Sequence, residues 1–408
     1  MKRDMTIVYP INERLMLRKA RDRRIMQMAS ALASSGHKVF LLVGKSGAPR
    51  KEILAYYGLE DLASLQIIQL PILRKSKFFG LSWNGVFYFF LLLRLIHLSR
   101  REEIHLLYLS VPKLASFLLP WRRWLRSGRI VYELHELGIY PETTDPDRLQ
   151  TKVDLLERQV LPQMDGVITT TEALKDVLEK RYPRLPIAAI PLGTMAEAPG
   201  FHPSPFVPKD SYRLCYIGQL YEAQGVDLLV RAVSQVPFVH LHLIGGEEKQ
   251  IGALKHLATE LDILGRITFH GFVSPGQVKK LASEMDIFVL PARGTLRMNH
   301  VAHIKIYEYM SYGRPIIATA LRSTGEELQD GENAILVRPD DSQALAEGIL
   351  RLVKDPSLGQ KVADKALQMA SSYTWEERIR KIEKFIRALP PRGHLRPAGE
   401  IPKDRQFP

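Results

Sequence analysis

Lys305-Ile306-Tyr307-Glu308-Tyr309-Met310-Ser311-Tyr312-Gly313-Arg314-Pro315-Ile316-Ile317-Ala318-Thr319 is the stretch on which the fold turns. Ile304 to Tyr312 reads as a helix, and Pro315 to Ala318 as the strand that follows it. Lys305 and Glu308 are spaced i, i+3 and share one helix face. Both fall in the first turns, where the helix dipole favours a diphosphate and a carboxylate can accept hydrogen bonds from sugar hydroxyls.

The same alternation of strand and helix runs outward in both directions. Upstream, Leu214–Ile217, His240–Ile244, Ile267–His270 and Asp286–Leu290 read as strands, with helices over Val226–Gln235, Ala253–Leu264 and Pro275–Ser283 between them. Downstream come a strand at Ala334–Val337 and a helix at Ser342–Lys354. Thr374 caps a last helix running to Leu389. The N-terminal part repeats the pattern, with strands at Thr6–Tyr9, Lys38–Val43, Gln66–Leu70, Leu106–Ser110, Arg129–Leu134, Gly166–Thr169 and Ile187–Pro191. Helices are predicted at Lys19–Ser34, Ser82–Arg100, Asp154–Val160 and Glu172–Arg181. Between the two series, Pro199, Pro203, Pro205 and Pro208 interrupt the pattern as a linker. The expected fold class is therefore α/β, with two doubly wound Rossmann-like domains facing across a cleft. The expected bounds are 1–195, a Pro-rich linker at 196–212, a second domain at 213–372, a helix crossing back at 373–389 and a disordered tail at 390–408.

Bulk properties narrow the setting. The 408 residues are 46% hydrophobic and 25% charged, enough for two cores. A single cysteine, Cys215, excludes an intrachain disulfide framework and fits a reducing, cytoplasmic compartment. The N-terminal apolar run is too short for a signal peptide. The longest apolar stretch, Val86 to Leu98, includes Arg94 and His97 and falls short of the roughly 20 residues of a spanning helix. Net charge is +13, and residues 1–130 carry 23 Lys/Arg against 8 Asp/Glu. That asymmetry calls for an acidic partner of the first domain, at the cytoplasmic face of an anionic membrane or on a phosphorylated acceptor. No nucleic-acid partner is expected.

The chemistry gathers at strand ends of the second domain. Gly218-Gln219-Leu220-Tyr221-Glu222-Ala223-Gln224-Gly225 precedes a helix, and its glycines let backbone approach a phosphate. Gly245-Gly246 ends the next strand. Phe269-His270-Gly271-Phe272-Val273 can hold a flat base through backbone groups and apolar contact. No G-x-G-x-x-G follows a first strand, which argues against a dinucleotide dehydrogenase.

Together with Lys305–Thr319, these loops resemble the donor domain of GT-B glycosyltransferases of the retaining family 4 (group 1) type, over residues 213–354. The family segment reads K-L-x-E-Y-M-A-x-G-x-P-V-I-A-T. The resemblance implies transfer of a hexose-type sugar from a nucleoside diphosphate donor, with retention, to an acceptor sugar or lipid-linked glycan. It implies a donor site built from Gly218, Gln219, Gln224, Gly245, Phe272, Val273, Arg293, His300, Ile304, Lys305 and Glu308. In the family, the glutamate at Glu308 holds the donor ribose. Val131-Tyr132-Glu133-Leu134-His135-Glu136 resembles the family's strand-then-histidine segment, whose histidine lies near the reacting sugar. His135, Lys305 and Glu308 are thus the expected catalytic set. No cofactor or obligatory metal is expected, because no Asp-x-Asp motif stands where a diphosphate would need one.

The chain departs from the family in three places. His300 stands where the first glutamate of E-x7-E is usual. Gln219 and Gln224 replace the Arg and Lys that often hold the diphosphate, leaving Lys305, Arg293 or Arg297 to supply positive charge. Two other activities remain open on these residues: a nucleotide-sugar epimerase of the same fold, and a GT-B scaffold without catalysis.

Overall fold

The computed structural model describes residues 4–16, 20–72, 83–125, 127–194 and 203–390. The expected helix start at Lys19, the first half of the Pro-rich stretch and the tail beyond Pro390 lie outside the described residues.

The chain divides into two compact units. Unit 1 holds residues 1–170, 174–190 and 379–408. Its elements are β1 (Thr6–Arg14), α1 (Ala20–Ser34), β2 (Lys38–Gly44), α2 (Arg50–Tyr57), β3 (Leu65–Leu70), α3 (Trp83–Arg101), β4 (Leu106–Leu109), α4 (Pro112–Leu118), β5 (Arg129–Leu134), α5 (Arg148–Val160), β6 (Gly166–Thr169), α6 (Glu172–Arg181) and β7 (Ile187–Ala189). Among the described residues its strands form one parallel sheet in the order β3-β2-β1-β4-β5-β6-β7. Strands such as Val39–Val43 are apolar throughout because helices cover both faces.

Unit 2 holds residues 171–173 and 191–378. It comprises β8 (Tyr212–Ile217), α7 (Val226–Ser234), β9 (Val239–Ile244), α8 (Glu248–Glu260), β10 (Ile267–Gly271), α9 (Pro275–Ser283), β11 (Ile287–Leu290), α10 (Leu296–His300), α11 (Ile304–Ser311), β12 (Ile316–Thr319), β13 (Ile335–Val337), α12 (Ser342–Lys354) and α13 (Pro356–Ala370). The strand order is β10-β9-β8-β11-β12-β13, again parallel. A last helix, α14 (Trp375–Ala388), begins in unit 2 and ends in unit 1. In unit 1 its Glu383 meets His37 at 2.9 Å, both side chains buried.

Helices α2, α4, α10 and α13 are additions to the sequence reading. Part of the expected linker stretch packs on unit 2. Phe206 is buried, its ring 5.5 Å from that of Tyr212, and its amide N–H donates to Gln360 Oε1 at 2.6 Å. A Cβ on Gly359 would come within 2.2 Å of that ring, so glycine at 359 is what seats Phe206 in the core of unit 2.

Candidate active site

In a doubly wound sheet the chain reverses direction at one point, and ligands bind at the strand carboxyl ends there. In unit 2 the reversal lies between β8 and β11. The loop after β8 is residues 218–225, and the loop after β11 begins at Pro291. They are laced together, since Arg293 N–H donates to Ala223 O at 3.0 Å. Gly225 has φ +65°, and a Cβ there would stand 1.9 Å from Pro291 O. Only glycine permits both the turn and the approach.

Lys305 enters this point from the first turn of α11. Its Nζ donates to Gln224 Oε1 at 2.7 Å and lies 5.2 Å from the centre of the Tyr216 ring. Tyr216 Oη donates to Gln219 O at 2.7 Å and sits 3.0 Å from Gln224 Oε1. Gly218 has φ +145°, and a Cβ there would meet Lys305 Cε at 2.4 Å. The lysine stem therefore lies across the glycine. Burial lowers the Lys305 pKa to about 8, partly opposed by the attraction of Glu308. The ammonium thus has less water around it than a surface lysine has, and a diphosphate would replace what is missing.

The other residues of α11 hold the helix in place. Ile217 N–H donates to Tyr309 Oη at 3.0 Å, and the Tyr309 ring stacks on Phe288 with centroids 4.6 Å apart. Tyr307 Oη donates to Glu327 at 3.2 Å, and Tyr373 donates to the same carboxylate. With these tyrosines facing inward, Lys305 and Glu308 keep the partly exposed face. His303, just before the helix, is buried with its pKa lowered to about 4 by desolvation and by Lys305. Its Nε2 faces Met298 O at 3.2 Å and must donate, so in the neutral ring that the lowered pKa favours, the single proton sits on Nε2.

Gly218, Gln219, Gln224, Gly245 and Lys305 come together at the reversal. Gly245 has φ +112°, with room for no Cβ against Gly218 O at 2.4 Å. Gln219 Oε1 is buried without a hydrogen-bond partner among the described residues, a group that water or a ligand has to satisfy. Phe272 is exposed where β10 ends, and Val273 is partly buried against the core. Arg293 is engaged elsewhere. Its guanidinium contacts Asp227 Oδ2 at 2.6 Å, Asp340 Oδ1 at 3.5 Å and Glu222 O at 3.1 Å. Its charge is thereby balanced by two carboxylates, unlike that of Lys305. His300 ends α10, buried, with Nδ1 2.9 Å from Leu296 O. Ile304 opens α11 beside Lys305.

In unit 1, His135 lies just past β5, its Nε2 3.2 Å from Glu133 Oε1. Tyr108 of β4 donates to the other Glu133 oxygen, and the Tyr9 ring meets the Tyr108 ring edge-on at 5.2 Å. Burial, and then the charge of Glu133, push Tyr9 up to about 12. Sequence reasoning missed Tyr216, Tyr108 and Glu133. Each sits inside an apolar strand, where the available signal was only a polar atom on an otherwise core-facing run.

Comparison with known proteins agrees with this geometry. The family model described as "Glycosyl transferases group 1" matches residues 211–355, and that described as "Glycosyltransferase Family 4" matches residues 22–197. The lipopolysaccharide core biosynthesis glycosyltransferase LpsE of Rhizobium meliloti (strain 1021) is 27% identical over 351 residues, 84% of this chain and 88% of that protein. A D-inositol 3-phosphate glycosyltransferase of Stackebrandtia nassauensis is 25% identical over 245 residues, 54% of this chain and 53% of that protein. Sucrose-phosphate synthase from Thermosynechococcus elongatus superposes with TM-score 0.74 at 19% identity, covering 94% of this chain and 99% of that one. Anabaena HepE, solved in complex with UDP and glucose, gives TM-score 0.71 at 17% identity, with 94% and 100% covered. At such identity these two structures speak to the fold.

Proposed function

Because the chain belongs to the group 1, family 4 glycosyltransferases and carries their GT-B fold, we propose that the β8–β11 reversal of unit 2 is its nucleotide-sugar donor site. The observation that carries this is Lys305, a desolvated ammonium at the start of α11 whose one hydrogen-bond partner among the described residues is a neutral amide. Gly218, Gln219 and Gln224 would line the diphosphate with Lys305 and the α11 N–H groups. Gly245, Phe272 and Val273 would hold the base, and Glu308 the ribose hydroxyls. His300 and Ile304 would border the sugar. Arg293 would act on the donor indirectly, by fixing the loop that carries Gln224.

As the glycosidic bond breaks, charge builds on the leaving diphosphate. Lys305 and the α11 dipole would stabilise it where it forms. Positive charge supplied in this way needs no metal. His135, held by Glu133 within unit 1, is proposed as a catalytic residue on the strength of the family resemblance. Uridine diphosphate hexoses are the first donors to try, since HepE was solved with UDP and glucose. The acceptor we assign is a lipid-linked or polysaccharide-precursor glycan, since LpsE serves lipopolysaccharide core synthesis. Retention of configuration follows the family resemblance.

The test is donor hydrolysis and transfer across a panel of nucleotide sugars, with Glu308→Gln alongside. The expected result is turnover of a uridine diphosphate hexose, reduced in the variant by roughly ten- to a hundredfold through loss of a charge-assisted ribose hydrogen bond. Equal activity in the variant removes Glu308 from the site. Absence of turnover and of nucleotide binding leaves the fold without the activity.

A further inference from the structure

The outer surface of a helix packed on a sheet is ordinarily polar. Helix α3 breaks that rule. Its inner face buries Phe87, Leu91, Leu95 and Leu98, while Phe89, Phe90 and Leu93 stand 58%, 40% and 50% exposed on the outside. The neighbouring helix continues the pattern. Tyr88 of α3 stacks on Phe117 of α4 at 4.8 Å. The chain then turns through Trp121 and Trp124, the latter 72% exposed. On α5, which packs against α4, Leu149 and Leu155 are also exposed. All seven of the exposed large hydrophobic side chains among the described residues of unit 1 lie on these helices or the turn after α4.

The same segment is cationic. Residues 83–129 contain eight Lys/Arg and two Glu. Arg100, Arg101, Lys113 and Arg123 are exposed there. No described helix is long and apolar enough to cross a membrane.

We propose that the α3–α4–α5 surface of unit 1 docks on an anionic lipid bilayer, with Phe89, Phe90, Leu93 and Trp124 entering the headgroup region and the surrounding Arg and Lys binding lipid phosphates. The charge argues for lipid over a second copy, since a self-paired face would set these cations against one another. Its form argues the same way. The Phe89 and Phe90 rings meet edge-on at 5.5 Å and share their segment with exposed cations, and a headgroup layer accommodates both. Indole rings prefer that depth. The surface belongs to unit 1 and does not depend on the donor assignment in unit 2. It would bring a lipid-linked acceptor to the enzyme.

The experiment is flotation of the full chain with phosphatidylcholine vesicles, with and without about 30 mol% phosphatidylglycerol, at low and high salt. The expected result is binding to the anionic vesicles only, weakened at least about tenfold by raised salt. The triple change Phe89→Ser, Leu93→Ser, Trp124→Ser should weaken it by a further tenfold or so while leaving the melting temperature and UDP binding intact. Trp124→Phe should remove most of the fluorescence quenching by bromine-labelled lipid, and Trp375→Phe should not, because Trp375 is buried. Three outcomes overturn the proposal: no flotation at low salt, flotation unchanged by the triple variant, or self-association that the triple variant abolishes in the absence of vesicle binding.

Discussion

Replacing Lys305 by methionine should have two effects of opposite sign. The lysine pays for its place with a pKa lowered from 10.5 to about 8. At about 1.4 kcal/mol per unit this is about 3 kcal/mol, which the partial exposure of the side chain reduces to about 2 kcal/mol. Methionine keeps the length and apolar stem without the charge. Lys305→Met should therefore be more stable than the parent protein at pH 7. Above the folded pKa the difference should fade. The unfolded chain holds the lysine proton up to about pH 10.5 and the folded one only to about 8, so parental stability rises with pH between those values. Thermal melts from pH 7.5 to 9.5 cover that rise and stay below the ordinary tyrosine value of 10.0, from which burial displaces Tyr9 and Tyr57. The variant should lack the rise. UDP binding should move the other way. Loss of one charge-assisted hydrogen bond to phosphate, about 1.5–3 kcal/mol, weakens binding by about 10- to 150-fold. Parental affinity should also fall about tenfold between pH 7 and 9, as the free lysine loses its proton. The terminal phosphate, with its last pKa near 6, does not titrate in that window. Calorimetry at pH 8.5 in buffers of different ionisation enthalpy should detect proton uptake on UDP binding in the parent and none in the variant. Unchanged UDP affinity in Lys305→Met, or a flat affinity from pH 7 to 9, would refute the assignment.

Three further changes test the fold. Glu157 is buried beside Asp154, accepts from Gly138 N–H at 3.1 Å, and has its pKa raised to about 7, chiefly by desolvation. The folded chain then holds this proton between about pH 4.5 and 7 where the unfolded chain does not, so stability should fall by about 3 kcal/mol as pH rises through that range. Glu157→Gln should flatten that part of the curve in urea titrations and exceed the parent at pH 8. Gly225→Ala should cost about 2–4 kcal/mol and weaken UDP binding, because the φ of +65° and the contact with Pro291 O force the loop to move. Gly252→Ala, inside α8 with open space around its Cβ, should instead stabilise by about 0.5–1 kcal/mol. Chemical denaturation of the two variants makes the comparison.

The alternation of strand and helix was legible because parallel strands covered on both faces are apolar runs, and their ends carry glycine or proline. Two helices that open on proline were not legible. Pro112 begins α4 and Pro356 begins α13, each at a first-turn position where no amide hydrogen is needed. At the second of these, Asp355 caps the helix by accepting from Leu358 N–H at 3.0 Å. Neither helix was among those expected from the sequence. The packing of the Pro-rich stretch was hidden for another reason. Phe206 is fixed by Gly359, 153 residues later, and no local pattern carries that. In the site, Lys305 and Glu308 were legible since i, i+3 spacing on one helix is local. The contact of Lys305 with Gln224 and Tyr216 was not. It joins a strand, a loop and a helix separated by about 80 residues, and depends on Gly218 lacking a Cβ.

That contact gives the two glutamines a physical meaning. Where the family pattern often has Arg and Lys on the diphosphate, this chain has Gln219 and Gln224, and the Gln224 oxygen accepts from Lys305. A lysine at 224 would set a second ammonium against the first in a desolvated place, at a Coulomb cost of about 4 kcal/mol for charges 4 Å apart at an effective dielectric of 20. Glutamine supplies an acceptor, so one cation can be held ready without a carboxylate to neutralise it. Arg293 shows the contrast, since its two carboxylates balance its charge before any ligand arrives. The proposed donor site thus concentrates its charge in one half-buried group. Ionic strength screens such a group weakly, while pH near 8 switches it. The exposed cations of the α3–α4 surface have the opposite character, with salt screening them strongly. Salt and pH therefore separate the two electrostatic systems of this chain. Raised salt should release it from anionic vesicles with UDP affinity nearly intact, and raised pH should lower UDP affinity while vesicle binding persists.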